Sequence, residues 1–289
     1  MKLVIFSRGT SEVFPGLLLD DGVVSLAELV PAVRAPRAAM LTIIEGFETL
    51  KRSIERLGGS GEKLPLDLVQ LHAPIPWPGK ILSSTSVCRA ERNTSPEPLL
   101  MTLKTAECVI GPRDDIELPD TFEPWQLSPE AELAAIIKGP AKRVAAEDWR
   151  SAVFGFSCAI DVAARGQSPA FGRDLWVAKS DTLCPLGPCI VTADEFAEPA
   201  NLHLRSFLNG QPRQDFTFAT ADYDIGQQIA FITTVMTLHS GDIVLLGSSE
   251  QDAGELHDGD RADVEIEDIG RLSVGVRAAA LVAGGGAAT

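Results

Sequence analysis

From residue 80 onward the chain breaks into short apolar runs of strand length, with one main helical run among them. Residues 80–83, 99–103, 131–137, 154–162, 190–192, 202–208, 243–246, 262–266 and 270–276 are the strand candidates, and turn residues such as Asn209-Gly210 and Asp258-Gly259-Asp260 separate several of them. Asn209-Gly210, between Leu208 and Gln211, is a strong hairpin signal, because both residues tolerate the positive φ that a tight turn needs. Residues 225–235 carry the helical run, with Ile229, Ile232 and Val235 on one face. Many short strands and few helices predict a core made of rolled or barrel-like sheet rather than a helix bundle.

The first seventy or so residues mix the two periods. Residues 2–7 predict a strand, and Asp20-Asp21-Gly22 predicts a turn between strands over 14–19 and 23–26. Residues 40–57 predict a helix, with Ile43, Ile44, Phe47, Leu50, Ile54 and Leu57 on one face, closed by Gly58-Gly59-Ser60-Gly61. Pro65 and then Ala73-Pro74-Ile75-Pro76-Trp77-Pro78-Gly79 stiffen the chain and remove backbone donors, which places a boundary there. The fold class expected is α+β and β-rich: a small N-terminal α+β domain over 1–72, then a mixed-sheet β-roll over 73–289. The Ala/Gly-rich tail, 278–289, is expected to fray.

At 289 residues and 45% hydrophobic content the chain can bury a substantial core. A formal charge of −15 repels phosphate backbones, so nucleic acid is excluded as a partner, while cations are attracted. An anionic ligand therefore needs local Lys or Arg groups. The five cysteines are odd in number and form no CxxC pair, which predicts reduced, mostly buried thiols. The N-terminal apolar run is too short for a signal peptide, and no run approaches a membrane span. A cytoplasmic location without membrane association is the expectation.

Three groups of residues carry candidate chemistry. Glu130 and Glu132 stand two apart, hence on one face of a strand, and an apolar run follows them. Two carboxylates so close are unfavourable unless a proton or cation lies between them; the plainer alternative is two solvated glutamates on an edge strand. Asp161 ends an almost wholly apolar run and is expensive to bury unless paired or bound to a metal, with a simple cap as the alternative. Lys179 sits among apolar neighbours, either in a site or as a surface lysine with a packed stem.

Over nearly its whole length the chain resembles the fumarylacetoacetate hydrolase family. Pro15 to Leu26 reads like the family's opening, and Ile110-Gly111-Pro112-Arg113-Asp114-Asp115-Ile116-Glu117-Leu118-Pro119 is similar to its GPGDxIxLP segment. Glu130-Ala131-Glu132-Leu133 resembles ExEL, and Asp161-Val162-Ala163-Ala164-Arg165 resembles DVSAR. Lys179-Ser180, Pro185-Leu186-Gly187-Pro188, Met236-Thr237-Leu238 with Gly241-Asp242, and Gly247-Ser248 fall where the family has GKS, PLGP, MTLxxGD and TGTP. The resemblance implies that Glu130, Glu132 and Asp161 hold a divalent cation, Mg²⁺ or Mn²⁺ with Ca²⁺ possible, since carboxylate oxygens suit hard ions. It implies that Lys179 lies near the metal as a catalytic and substrate-binding group. Arg165 is a candidate for the substrate carboxylate or a structural pair, and Ser248 a candidate donor to a substrate oxygen.

The resemblance departs at the lid. Where hydrolytic members have GxNYxxH, Val87, Cys88 and Glu91 replace Asn, Tyr and His, and no histidine lies between His72 and His203. Glu91 is then the candidate base, or a solvated lid residue beside Arg89 and Arg92. The function implied is metal-dependent hydrolysis of a carbon–carbon bond in a small anionic 2-oxo or 1,3-diketo acid. The alternatives are isomerase, decarboxylase or lyase chemistry through an enolate, or a catalytically degenerate ligand-binding member. A homodimer is the assembly implied.

Overall fold

The computed structural model describes residues 1–9, 12–31, 35–90, 95–120, 125–166 and 177–279, with backbone alone at 165 and 166. The chain opens with β1 (Lys2–Ser7), β2 (Val13–Leu19), β3 (Gly22–Ser25), α1 (Pro36–Ser60), β4 (Lys63–Leu64) and β5 (Gln70–His72). β6 (Ile81–Ser84), β7 (Val87–Cys88), β8 (Met101–Lys104), β9 (Val109–Ile110), β10 (Asp115–Leu118), β11 (Trp125–Ile137) and β12 (Val153–Gly166) follow. The rest comprises β13 (Cys184–Thr192), β14 (His203–Leu208), β15 (Gln211–Thr217), α2 (Ile225–Val235), β16 (Ile243–Leu245), β17 (Ser248–Ser249), β18 (Arg261–Ile266) and β19 (Gly270–Ala278).

Local chemistry accounts for several of these elements. Leu19 faces Gly22 across the first hairpin, so Asp20-Asp21 is the turn. Leu208 faces Gln211 across the second, with Asn209 and Gly210 both at positive φ, as the sequence predicts. α2 spans the expected residues and starts on a capping box between Asp224 and Gln227. α1 begins before the expected residue 40 because Pro36 suits the first turn, where its missing N–H costs nothing. Its buried face holds Met40, Ile43, Ile44, Phe47 and Ile54, while Leu50 and Leu57 pack at the margin.

Ten strands run β4-β3-β2-β1-β13-β12-β11-β16-β6-β8, and β5 and β9 add to β1 and β13 to make a twelve-stranded sheet. A five-stranded sheet, β10-β19-β18-β14-β15, packs over β12 and β13. The N-terminal strands join the main sheet directly, with Lys2 opposite Val191 and Leu3 opposite Ile190. Leu3, Ile5 and Met40 share one core cluster with Ile81, Ala134, Leu186 and Ile243. β11 and β12 are covered on both faces: every residue from Ala131 to Ile137 and from Val153 to Val162 is buried. Strands buried on both faces read as continuous apolar runs, which is why no alternation marks them.

Among the described residues no helix is long and apolar enough to cross a membrane, and all five cysteines are free and buried. The tail expected to fray falls outside the described residues from 280 on.

β5 ties to β1 through a hydrogen bond between Ser7 Oγ and His72 Nε2 of 2.8 Å. Burial pushes the His72 pKa below its usual 6.5, outweighing the opposite pull of Asp114. The unfolded chain therefore takes up this proton first as the pH falls. The stability linked to His72 is complete above 6.5 and declines below it. Denaturant midpoints measured from pH 7.5 to 5 should show this decline, and His72→Gln should flatten it; an unchanged slope in the variant would exclude His72 as its source.

Candidate active site

β11 and β12 pair antiparallel, with Glu130 opposite Asp161 and Glu132 opposite Ala159. Opposed residues share a face, and so do residues two apart, so all three carboxylates project from one face. Glu132 is 2% exposed and Asp161 8%, while Glu130 is half-buried. Like charges directly opposite one another destabilise a sheet unless something balances them.

Part of the balance comes from the far end of the sheet. The Lys104 ammonium, on β8, ion-pairs with Asp161 Oδ1, and Ser83 Oγ, on β6, donates to Asp161 Oδ2 at 2.5 Å. β8 lies four strand positions from β12. Along a flat sheet that is about 19 Å, at about 4.8 Å per strand, far beyond a lysine's reach. The contact exists because the sheet rolls and brings β6 and β8 over β11 and β12. Burial opposes the Lys104 charge, but Asp161 outweighs it and the ammonium's pKa is raised.

Glu132 is fixed from a third direction. The Gly247 N–H donates to Glu132 Oε2 at 2.6 Å. Gly247 has φ +101, and a Cβ there would stand 2.1 Å from the Ser86 carbonyl oxygen, so only glycine lets this amide approach. Even so, burial first and the Asp161 charge second hold the Glu132 carboxyl well above its usual pKa, against the pull of the Gly247 amide.

Ser83, Lys104, Glu130, Glu132, Asp161 and Lys179 line one cavity of about 220 Å³. Lys179 is half-buried there, and burial followed by the neighbouring Lys104 charge lowers its pKa. Glu130, Ser84 and Thr85 also line an adjoining cavity of about 560 Å³, with Arg89, Ser128 and Ser248 on its walls. Arg89 is held by Asp222 and Glu250, at 3.2 and 3.4 Å.

The structure thus brings Glu130, Glu132, Asp161 and Lys179 to one cavity. Ser248 lies on the next one with its hydroxyl committed: it donates to the Ala131 carbonyl at 2.9 Å and accepts from Gln214 Nε2 at 3.1 Å. Gln214 Oε1 in turn accepts from the Ala131 N–H, so these two side chains clamp the backbone between the two glutamates. The Arg165 backbone pairs with Gln126, its side chain lies outside the described residues, and so does Glu91. Sequence reasoning gave no role to Lys104, Ser83 or Gln214, and read Gly247 only as part of the turn that carries Ser248, not as a donor to Glu132. Lys104 had a faint signal, a lysine closing the apolar run 99–103, but its partner lies 57 residues away.

Among the described residues no three acidic, thiol or imidazole groups converge into a ready-made ligand cluster. Lys104 and Ser83 hold Asp161, and Gly247 holds Glu132, each turned toward its own partner. The charges nevertheless fit a divalent cation. Three carboxylates share the cavity with two lysines, the buried Lys104 paired with Asp161 and the half-buried Lys179, so the acidic side chains that line it outnumber the basic ones. Burial first and the Asp161 charge second raise the Glu132 pKa, and a hard doubly positive ion is the counter-charge that such oxygen donors suit.

The profile of the family described as Fumarylacetoacetate (FAA) hydrolase C-terminal matches residues 82–277. A crystal structure of maleylpyruvate hydrolase from a Sphingobium species, in complex with manganese(II) and pyruvate, superposes with a TM-score of 0.86. It is 32% identical, over 97% of this chain and 100% of that one. A 5-carboxymethyl-2-hydroxymuconate delta-isomerase from Mycobacterium smegmatis superposes at 0.76 with 29% identity, over 97% of this chain and 100% of that one. The human mitochondrial oxaloacetate tautomerase FAHD2B is 29% identical over 286 residues, 93% of this chain and 90% of its own length.

Proposed function

This chain belongs to the fumarylacetoacetate hydrolase family, and we propose on that premise that it is a metal-dependent enzyme cleaving a carbon–carbon bond of an acylpyruvate-type 2-oxo acid by hydrolysis. Glu130, Glu132 and Asp161 would hold the cation, Mg²⁺ or Mn²⁺. The observation that carries this reading is that those three side chains line one cavity, in which acidic groups outnumber the two lysines, Lys104 and Lys179. The manganese and pyruvate bound by the maleylpyruvate hydrolase relative support the same class of ion and ligand.

When bound, the cation supplies Lewis-acid polarisation of a 2-oxo acid's carbonyl. The chain's own residues do the rest. Ser83 and Lys104 fix the orientation of Asp161, while the Gly247 N–H and the Gln214–Ser248 clamp hold the β11 glutamates. Lys179, its pKa lowered by burial and by Lys104, presents a nitrogen able to hold or move a proton beside the substrate's oxygens. The adjoining 560 Å³ cavity, which shares Glu130 with the first and carries six serine and threonine side chains on its walls, gives the acyl arm a place beside the carboxylates.

A second reading, keto–enol isomerisation, is favoured by the make-up of the described cavity lining, in which Lys179 is the proton carrier and no histidine occurs. Isomerisation moves a proton and needs no activated water. The two readings separate in one assay. With Mg²⁺ or Mn²⁺ and an acylpyruvate, hydrolysis releases one pyruvate per substrate consumed. Loss of enol absorbance from oxaloacetate without carbon–carbon cleavage instead marks isomerisation and overturns the first reading.

A further inference from the structure

We propose that a cleft remote from the carboxylates binds a small organic anion with an apolar body. The cleft has a volume of about 680 Å³ and lies between the segment 66–71 and the strands β18 and β19, with no lining residue in common with the two cavities described above. Ligand sites favour such seams and such volumes. One wall is apolar, built from Val69, Leu71, Pro112, Pro188 and Val274. The other carries Arg113, Arg261 and Arg271 with Ser273 between them.

Arg113 is the informative residue. Its φ is 69°, a left-handed backbone that glycine adopts freely and other residues adopt at a cost. The GPGDxIxLP pattern that this segment resembles has glycine at that position. Here the chain carries an arginine instead, held by the Arg113 N–H donating to the Ser273 carbonyl at 2.9 Å. Its side chain is exposed and makes no ion pair or hydrogen bond among the described residues. A costly backbone conformation that presents an unspent guanidinium to a cleft points to a use for it.

The other two arginines are positioned rather than free. Asp263, 2% exposed, takes Arg261 Nε at 3.3 Å and Arg271 Nη2 at 3.1 Å. Arg261 Nε also donates to Ser273 Oγ at 2.8 Å, and Arg271 stacks on the Phe207 ring at 5.0 Å. Both terminal nitrogens of Arg261 remain without a bond among the described residues. Glu265, 4.0 Å from Arg271, and Asp115, beside Gly275, bring the neighbourhood close to charge balance. Recognition therefore rests on the unspent N–H forks of Arg113 and Arg261, which suit the planar oxygens of a carboxylate or a phosphate. The apolar wall selects an anion that also carries a hydrophobic group.

The test uses the full-length protein with Mg²⁺ and saturating pyruvate, so that any carboxylate site is filled, and benzoate as the probe, followed by calorimetry and ligand-observed NMR. One benzoate per chain should bind in the millimolar range. Arg113→Gly, which restores the motif's glycine, and Arg113→Gln should each weaken it at least tenfold without changing turnover. Inorganic phosphate should bind more weakly than benzoate. Unchanged affinity in Arg113→Gly, absence of benzoate binding, or competition between benzoate and pyruvate would each overturn the site. Phosphate binding as tightly as benzoate would overturn the role of the apolar wall. Glu132→Gln should leave benzoate affinity intact, so this cleft can fail or hold independently of the metal-site reading.

Discussion

Replacing Glu132 by glutamine should, on the proposed function, abolish divalent-cation binding and lower turnover by about 10³-fold or more, with the fold retained. The amide is isosteric and its oxygen can still accept the Gly247 N–H, so the local packing at 2% exposure survives. What disappears is one of the three charges proposed to draw the cation. Lewis-acid stabilisation is worth several kcal/mol, and about 1.4 kcal/mol corresponds to a factor of ten in rate. A pH dependence accompanies this. Burial and the Asp161 charge raise the Glu132 pKa, so protons compete with the metal, and affinity should fall as the pH is lowered. The glutamine variant should lose that dependence along with the affinity. Metal content by elemental analysis, calorimetry with Mn²⁺ from pH 8 to 5.5, and turnover decide the matter. A variant that keeps both its metal and its activity would remove Glu132 from the site.

Lys104→Met should destabilise the metal-free protein by roughly 3–5 kcal/mol, the usual cost of removing one member of a buried ion pair and stranding the other. The Lys104 side chain is 3% exposed and Asp161 11%, so water does little to solvate the carboxylate left behind. Ser83 still donates to Asp161, which limits the loss. For a chain of this size the melting temperature should drop by about 10 °C. The variant cavity keeps all three carboxylates and loses the ammonium paired with Asp161, leaving Lys179 as its one lysine, so Mg²⁺ or Mn²⁺ should raise its melting temperature by more than that of the parent. Equal melting temperatures for parent and variant without metal would show that the pair contributes no net stability. A smaller metal-induced rise would contradict the charge balance assigned to the cavity.

Much of the scaffold could be read along the chain because its causes are local. The turns at Asp20-Asp21 and Asn209-Gly210, the stripe on α1 and the cap of α2 each depend on a few adjacent residues. Strand lengths were harder. Ala131 to Ile137 marked only part of β11, which runs from Trp125, and 190–192 marked only the end of β13, which begins at Cys184. Polar and proline residues at those strand ends carry no β signal of their own, and pairing with β12 is what extends them. The parallel pairings, β6 with β16 and β10 with β19, join segments more than a hundred residues apart and leave no mark in either segment.

The sequence by itself determined that two carboxylates share a strand face, that a third acid closes an apolar run, and that the chain is a β-rich member of its family. The first two are matters of spacing, and the third rests on the resemblance of its ordered motifs to those of the family. Only the tertiary structure decided that Asp161 lies opposite Glu130, that Lys104 and Ser83 reach Asp161, and that Gly247 reaches Glu132. The physical reason is the roll of the main sheet. It brings strands far apart along the hydrogen-bonding direction to within a side chain's length, and the net charge of the resulting pocket is a sum that no single segment contains.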